Sequence, residues 1–221
     1  MENHNECRTL IYLIRHGESE GNAKKILLGH TDLGLTELGL KQARITAQAL
    51  AEVRFDAIYS SDLKRAMQTA APHAEIRGNE IEIVPDKGLR ELYCGDWEGL
   101  TVEELLLNHR EQFEDHWHAA FGTFRMPGGE SVPELAERIN DTLLRIARAH
   151  VGQTVLCTTH AAAIRSFWGL ISGIAPDAIV GRLPFPSNAS YSIVEFLGDK
   201  LVPVSYSCDE HLAKYDMITR I

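Results

Sequence analysis

Cysteine is scarce and unpatterned in this 221-residue chain: Cys7, Cys94, Cys157 and Cys208 show no Cys-x-x-Cys spacing. That excludes a zinc signature and a short disulfide framework, and makes free thiols in a reducing compartment the expectation. Positive charge is also short, with 22 Lys and Arg against 31 Asp and Glu and a formal net charge of −9. A nucleic-acid partner, whose phosphates need clustered Lys and Arg, is excluded on that balance. So is general attraction to an anionic membrane surface. No apolar run approaches the length of a membrane span. The first residues, MENHNECR, lack the apolar core of a secretory signal. The expectation is a cytoplasmic, soluble protein with no repeats and no low-complexity segment.

What is present is ordinary globular composition, 44% apolar and 24% charged, in a length that suits one domain, read as 1–221, with a modest insertion. Short apolar runs at 10–14 (LIYLI), 55–59 (FDAIY), 81–84 (IEIV) and 154–158 (TVLCT) read as strands buried on both faces. Helical patterns separate them: 36–52 behind Thr36 as N-cap, a segment starting at Asp62, and a long helix behind the capping pair Ser131 and Glu134. The tail, YSIVEF then Gly198-Asp199 then LVPVSY, reads as a hairpin whose Pro203 puts the last strand at an edge. The alternation predicts an α/β three-layer sandwich with a mostly parallel central sheet and helices on both faces. Residues 95–130 break it, and read as a helical lid insertion that Thr101 and Glu104 help to open as a second capping pair.

Ligands of such sheets bind beyond the carboxyl ends of the strands. Following each predicted strand in turn gives Arg15-His16-Gly17, then Ser60-Ser61-Asp62 with Arg65, then Leu89-Arg90-Glu91, then Thr159-His160. One edge thus collects His16, His160, Arg15, Arg65 and Glu91 beside helix N-termini. A lone His or Arg at a strand end is usually a surface or capping residue. Five at consecutive strand ends fit a dianionic oxyanion, with phosphate the best match, and buried arginines need such a partner.

At this point the residues resemble a known family. RHGESEGN (15–22), GHTDLGLTELGLKQA (29–43), YSSDLKRAMQTA (59–70), LRELYCGDWEG (89–99), PGGES (127–131) and TTHAAAIR (158–165) are similar, in order, to the motifs of the histidine phosphatase superfamily, also called the phosphoglycerate mutase-like family. The resemblance implies a sheet between helices with an inserted lid. It implies His16 as nucleophile, Glu91 as proton donor and acceptor, and Arg15, Asn22, Arg65 and His160 around the phosphoryl oxygens. Imidazole attacks phosphorus only when unprotonated, guanidinium matches phosphate bidentately, and the fixed cations take the role of Mg²⁺. No metal and no cofactor are expected. Gly17 is expected to let substrate and backbone approach closely. The family usually has glycine after its second histidine; here Ala161-Ala162 stand there, and the backbone N–H of Ala161 is expected to face phosphate.

Mutase-type members usually follow RHGES with Trp-Asn, and here Gly21 stands at the tryptophan position. LRELYCGDWEG resembles the phosphatase branch. The predicted lid carries eight acids against Arg110 and Arg125, which disfavours a multiply charged substrate, although such acids also serve simply to solvate helix faces. Gly29, Trp97 and Arg125 are candidates for substrate contact, and lid aromatics are more often core than site. The reading is phosphomonoester hydrolysis on a small phosphorylated metabolite, with sugar phosphates, nucleoside-like phosphates, phosphoserine and α-ribazole phosphate all open. The alternatives are mutase-type phosphoryl transfer and a non-catalytic phosphoester-binding module. A metal site from His109, His116 and His118 is disfavoured, because His116 and His118 do not share a helix face. Ser60, Ser61 and Cys94 have no base placed beside them by any motif.

Overall fold

A computed structural model of the chain describes residues 8–76, 78, 80–114 and 122–219. The first strand, β1 (Thr9–Arg15), is the expected apolar run lengthened by a residue at each end. A single turn, α1 (Glu20–Ala23), follows, closed by a reciprocal capping box between Ser19 and Asn22. Helix α2 (Glu37–Ala49) starts where expected, with the Gly39 N–H donating to Thr36 Oγ1 at 3.0 Å. Strand β2 (Ala57–Ser60) begins after Phe55, which fills the core instead. Helix α3 (Lys64–Ile76) starts later than Asp62, because both Asp62 carboxylate oxygens are taken by Arg90 at 2.6 Å. The Lys64 N–H donates to Asp32 Oδ1 instead, at 2.6 Å.

Strand β3 (Ile83–Pro85) is short. The segment expected to be a lid contains α4 (Val102–Asn108), with its Thr101–Glu104 capping box, and α5 (Arg110–Glu114). Next come α6 (Val132–Ala149), β4 (Thr154–Thr159) and α7 (Ala161–Ile171). The expected hairpin is β5 (Tyr191–Leu197) and β6 (Lys200–Cys208).

The strands form one sheet in the order β3-β2-β4-β1-β5-β6. The first four in that order are mutually parallel, while β5 and β6 run antiparallel as the terminal hairpin. Alternate side chains sort to two faces. Leu13, Val155 and Cys157 enter the larger core with Leu135, Ile139, Leu143 and Ile146 of α6 and Phe167 of α7. Ile14, Ile58 and Leu156 enter the smaller one with Leu50, Ala70 and Ala74 of α2 and α3. The three-layer α/β fold is therefore as expected, and Pro203 does lie in an edge strand. The parallel arrangement brings the carboxyl ends of β1, β2 and β4 to one edge. Among the described residues no helix is long and apolar enough to cross a membrane.

Candidate active site

Arg15 ends β1 and His16 follows it, while His160 is the N-cap residue of α7 at the end of β4. Arg65 lies in the first turn of α3, and Glu91 follows the short 3-10 turn Lys87–Leu89 after β3. All of these except Glu91 are buried, Arg15 and His160 completely. The His16 and His160 rings meet edge to face with centroids 5.2 Å apart. The five expected residues therefore form one shell, because the parallel strands deliver them from the same edge.

The tautomer of His16 follows from its partner. Nδ1 lies 2.7 Å from the Gly17 carbonyl, which only accepts, so Nδ1 carries the proton and donates it. Nε2 is left as the unprotonated nitrogen. Burial, then the charges of Arg65 and Arg15, hold the pKa of His16 well below the ordinary histidine value. His160 is lowered by burial and next by Arg65. The arginines are themselves strained by desolvation, which brings Arg15 down to about 10.

Arg15 donates one Nη1 bond to the Pro186 carbonyl at 2.6 Å, and Arg65 donates to the carbonyls of Thr31 and Gly29 at 2.9 and 2.8 Å. Arg15 Nε and Nη2, Arg65 Nε and His160 Nδ1 are buried without a protein partner. Unmet buried donors cost on the order of 1–3 kcal/mol each. Several such groups, three of them guanidinium nitrogens, meet in one shell, a chemistry suited to an anion.

Glu91 Oε1 accepts the Leu92 and Ala163 N–H groups at 2.9 and 3.1 Å, and Oε2 accepts the Ala162 N–H at 3.2 Å. The α7 N-terminus thus fixes the carboxylate directly. Oε2, with one bond, retains accepting capacity in the cavity that Glu91 and Ala161 both line. Ala162 and Ala163, rather than Ala161, supply the anchoring N–H groups. Glu91 makes no direct ion pair with Arg15 or Arg65 among the described contacts. Ser61 Oγ lies 2.8 Å from His160 Nε2, giving that serine a place beside the histidine.

Several expected residues take other roles. Asn22 does line the cavity, but its Oδ1 accepts the Ser19 N–H at 3.0 Å and the Asn188 Nδ2–H at 3.1 Å. Gly29 lines the cavity and also contributes its carbonyl to Arg65. Trp97 is not at the site; it is buried in the larger core, stacked on Phe124 at 5.8 Å. Arg125 is exposed and held by Glu134 and the Gly129 carbonyl. Gly17 is required by the packing of α2, since a Cβ there would sit 2.5 Å from the Gly39 carbonyl oxygen. Acids of the expected lid are partly fasteners. Glu98 accepts from the His30 and Cys94 N–H groups, Glu104 caps α4, and Glu130 pairs with Arg138 at 2.7 Å. His109 packs on Trp97, and His116, His118 and Trp117 lie outside the described residues. Among those described, no group of three or more His, Cys, Asp or Glu is arranged to hold a metal.

Sequence reading missed the segment before β5. Pro186 supplies a carbonyl to Arg15, Asn188 donates to the His16 carbonyl at 3.2 Å, and Ala189 donates its N–H to the Arg15 carbonyl at 3.0 Å, with φ of 56°. The Pro-Phe-Pro and Asn-Ala-Ser run before the hairpin was the available signal. Arg138 of α6 was missed too. It donates to the carbonyls of Gly88, Arg90 and Glu91 at 2.9, 3.0 and 3.1 Å, so it clamps the loop that carries Glu91.

Beside His16 opens a cavity of about 600 Å³. Its far wall comes from residues 25–29, α4, α5, Met126 and Phe185.

The family model of the histidine phosphatase superfamily (branch 1) matches residues 11–209. A metal-independent phosphoserine phosphatase of Arabidopsis thaliana is 35% identical over 96% of this chain and 87% of its own length. A 2,3-bisphosphoglycerate-dependent phosphoglycerate mutase of Brucella anthropi is 33% identical over 78% of this chain and 85% of its own. The structure of YhfR from Bacillus stearothermophilus superposes with a TM-score of 0.85 at 30% identity, covering 92% of this chain and 99% of that one. With the paired histidines and the two buried arginines at one sheet edge, these matches show that the chain belongs to the histidine phosphatase superfamily.

Proposed function

We propose that this protein hydrolyses small phosphomonoesters through a phosphohistidine at His16, without a divalent metal. The observation that carries the reading is the His16 tautomer, Nδ1–H fixed on the Gly17 carbonyl and Nε2 free, in a shell of unpartnered cationic donors. Nε2 attacks phosphorus and the bond to the ester oxygen breaks. Arg15, Arg65 and His160 hold the equatorial oxygens. Glu91 gives its proton to the departing alkoxide, then takes one from the water that attacks phosphohistidine, and inorganic phosphate leaves. Asn22 and Ala161 line this shell.

Hydrolysis is favoured over mutase-type transfer by Gly21, which stands where mutase-type sequences usually carry tryptophan and whose place beside Leu28 leaves a Cβ only 2.4 Å from Leu28 Cγ. The retention of His16, His160 and Glu91 favours an enzyme over a binding module. The whole chain acts as one catalytic unit, with residues of about 95–130 as the lid. A cytoplasmic setting accords with the free cysteines Cys94, Cys157 and Cys208, and the net charge of −9 accords with a metabolite partner and not a nucleic acid.

Quenching the enzyme during turnover of a phosphorus-labelled ester should leave acid-labile, base-stable label on the peptide containing His16. Label on Ser, Cys or Asp instead contradicts the mechanism. Prolonged EDTA treatment should leave the rate unchanged; loss restored by one added metal contradicts the metal-independent site.

A further inference from the structure

The second half of the cavity has chemistry that phosphate capture does not use. Beyond the shell, Leu27, Val102, Leu106, Phe113, Met126 and Phe185 line it. Phe113 and Met126 are buried, and Phe185 is held from behind by the Arg165 guanidinium, 4.2 Å above its ring. The charged groups lining this half, among the described residues, are Lys25, Arg110 and Glu114, all exposed. Arg110 and Glu114 satisfy each other at 3.0 Å.

Resting on the catalytic reading above, we infer that the physiological leaving group has an uncharged, apolar body, an alkyl chain or ring carried on the ester oxygen. A cavity of about 600 Å³ lies within the roughly 300–1,000 Å³ typical of sites for ring-sized organic ligands. An amino-acid or glycerate leaving group places charges against this wall, where desolvation is costly without a partner. An apolar body gains instead, about fourfold in affinity for each methylene removed from water. The relatives named for phosphoserine therefore share the phosphate chemistry with this chain, while its own wall selects a different ester.

The test is kcat/KM for ethyl, butyl, hexyl and 2-phenylethyl phosphates against phosphoserine, with the matching alkylphosphonates as non-hydrolysable inhibitors. Phosphonate Ki should fall about fourfold per methylene until the cavity is filled, and hexyl and phenylethyl phosphates should exceed phosphoserine in kcat/KM. Leu106 is 38% exposed, so Leu106→Glu leaves the fold intact. It should lower kcat/KM for hexyl phosphate roughly tenfold or more, and by more than it lowers that for ethyl phosphate. Phosphoserine matching or beating hexyl phosphate, or a flat phosphonate series, overturns the inference while the mechanism stands. Failure of every ester to label His16 overturns the mechanism, and with it this inference.

Discussion

The two halves of the cavity are built in opposite ways. The phosphate half comes from the ends of β1, β2 and β4 and the first turns of α3 and α7, and Arg15 Nε and Nη2 and Arg65 Nε are buried there without a protein partner. The leaving-group half comes from a loop at 25–29, two short helices and single residues from distant segments, and its groups satisfy one another by packing. The first half stores unmet polar demand and is fixed by the central sheet. The second is self-contained and set by loops. Phosphoryl chemistry therefore rests on the sheet, and the shape offered to the leaving group rests on the loops.

The sharpest way to break this division is to remove the nucleophile. His16→Asn keeps a similar amide in place but has no nitrogen able to attack phosphorus. It should cost about 10⁴-fold or more in kcat for every ester, polar or apolar. A residual rate within tenfold of wild type, measured by phosphate release, means His16 does not carry the phosphoryl group.

Glu91 stands where the halves meet, and its removal should separate esters by leaving group. Glu91→Gln nearly preserves size, but its amide cannot donate a carboxylic proton. Alkyl phosphates, whose alkoxides need that proton, should lose ~10²–10⁴-fold in single-turnover phosphorylation of His16. p-Nitrophenyl phosphate, which leaves without a proton, should lose far less. Equal losses on both substrates would reduce Glu91 to a structural member of the α7 N-terminus.

A smaller effect should come from Arg138, which touches neither phosphate nor leaving group. Its guanidinium holds three carbonyls of the 88–91 loop and both Glu130 oxygens. Arg138→Ala should let Glu91 wander and lower kcat on alkyl phosphates roughly 10–100-fold. The loss on p-nitrophenyl phosphate should be slight, and Arg138→Lys should recover part of the alkyl rate. A loss equal for both substrates, with no recovery in the lysine variant, would make Arg138 a general stabiliser and not a positioning residue.

The same division explains what was legible in sequence. Arg15, His16, Arg65, Glu91 and His160 each follow a strand or open a helix, so alternating apolar runs were enough to bring them together. The α3 start was misplaced because Asp62 looks like an N-cap in isolation, while the structure spends it on Arg90, 28 residues away. The packing demand on Gly17 was not legible because the neighbour that imposes it, Gly39, lies 22 residues away in α2. Asn188 and Pro186 escaped because they act through backbone carbonyls and a side-chain amide from a loop with no periodicity. Trp97 was ambiguous by type, since an aromatic residue near a site is core or wall depending on a rotamer that sequence does not record.

The smallest expected effect concerns a histidine outside both halves, and it asks whether the low proton affinity of the site histidines needs the arginines at all. His73 sits in α3, two turns beyond Arg65, and is buried against Phe55 with Nε2 unpartnered. Desolvation alone pushes it down to about 3, whereas His16 and His160 are lowered by burial and arginine together. A folded-state value below the unfolded one means that the unfolded chain binds a proton which the folded chain refuses. The contribution is therefore complete above about pH 6.5 and is lost as pH falls toward about 3. The slope approaches 1.4 kcal/mol per pH unit for one histidine, by about that amount at most. Replacing His73 with Leu should remove one histidine's share of the acid slope in urea-unfolding free energies between about pH 6.5 and 4.5, leaving the shares of His16 and His160. At pH 7.5 the variant should be at least as stable as the parent, because the unpartnered nitrogen has gone. Identical slopes for parent and variant would show that His73 takes up its proton freely in the folded state. Burial alone would then be too weak to hold a histidine neutral in this core, and the neutral state of His16 would have to be credited to Arg65 and Arg15.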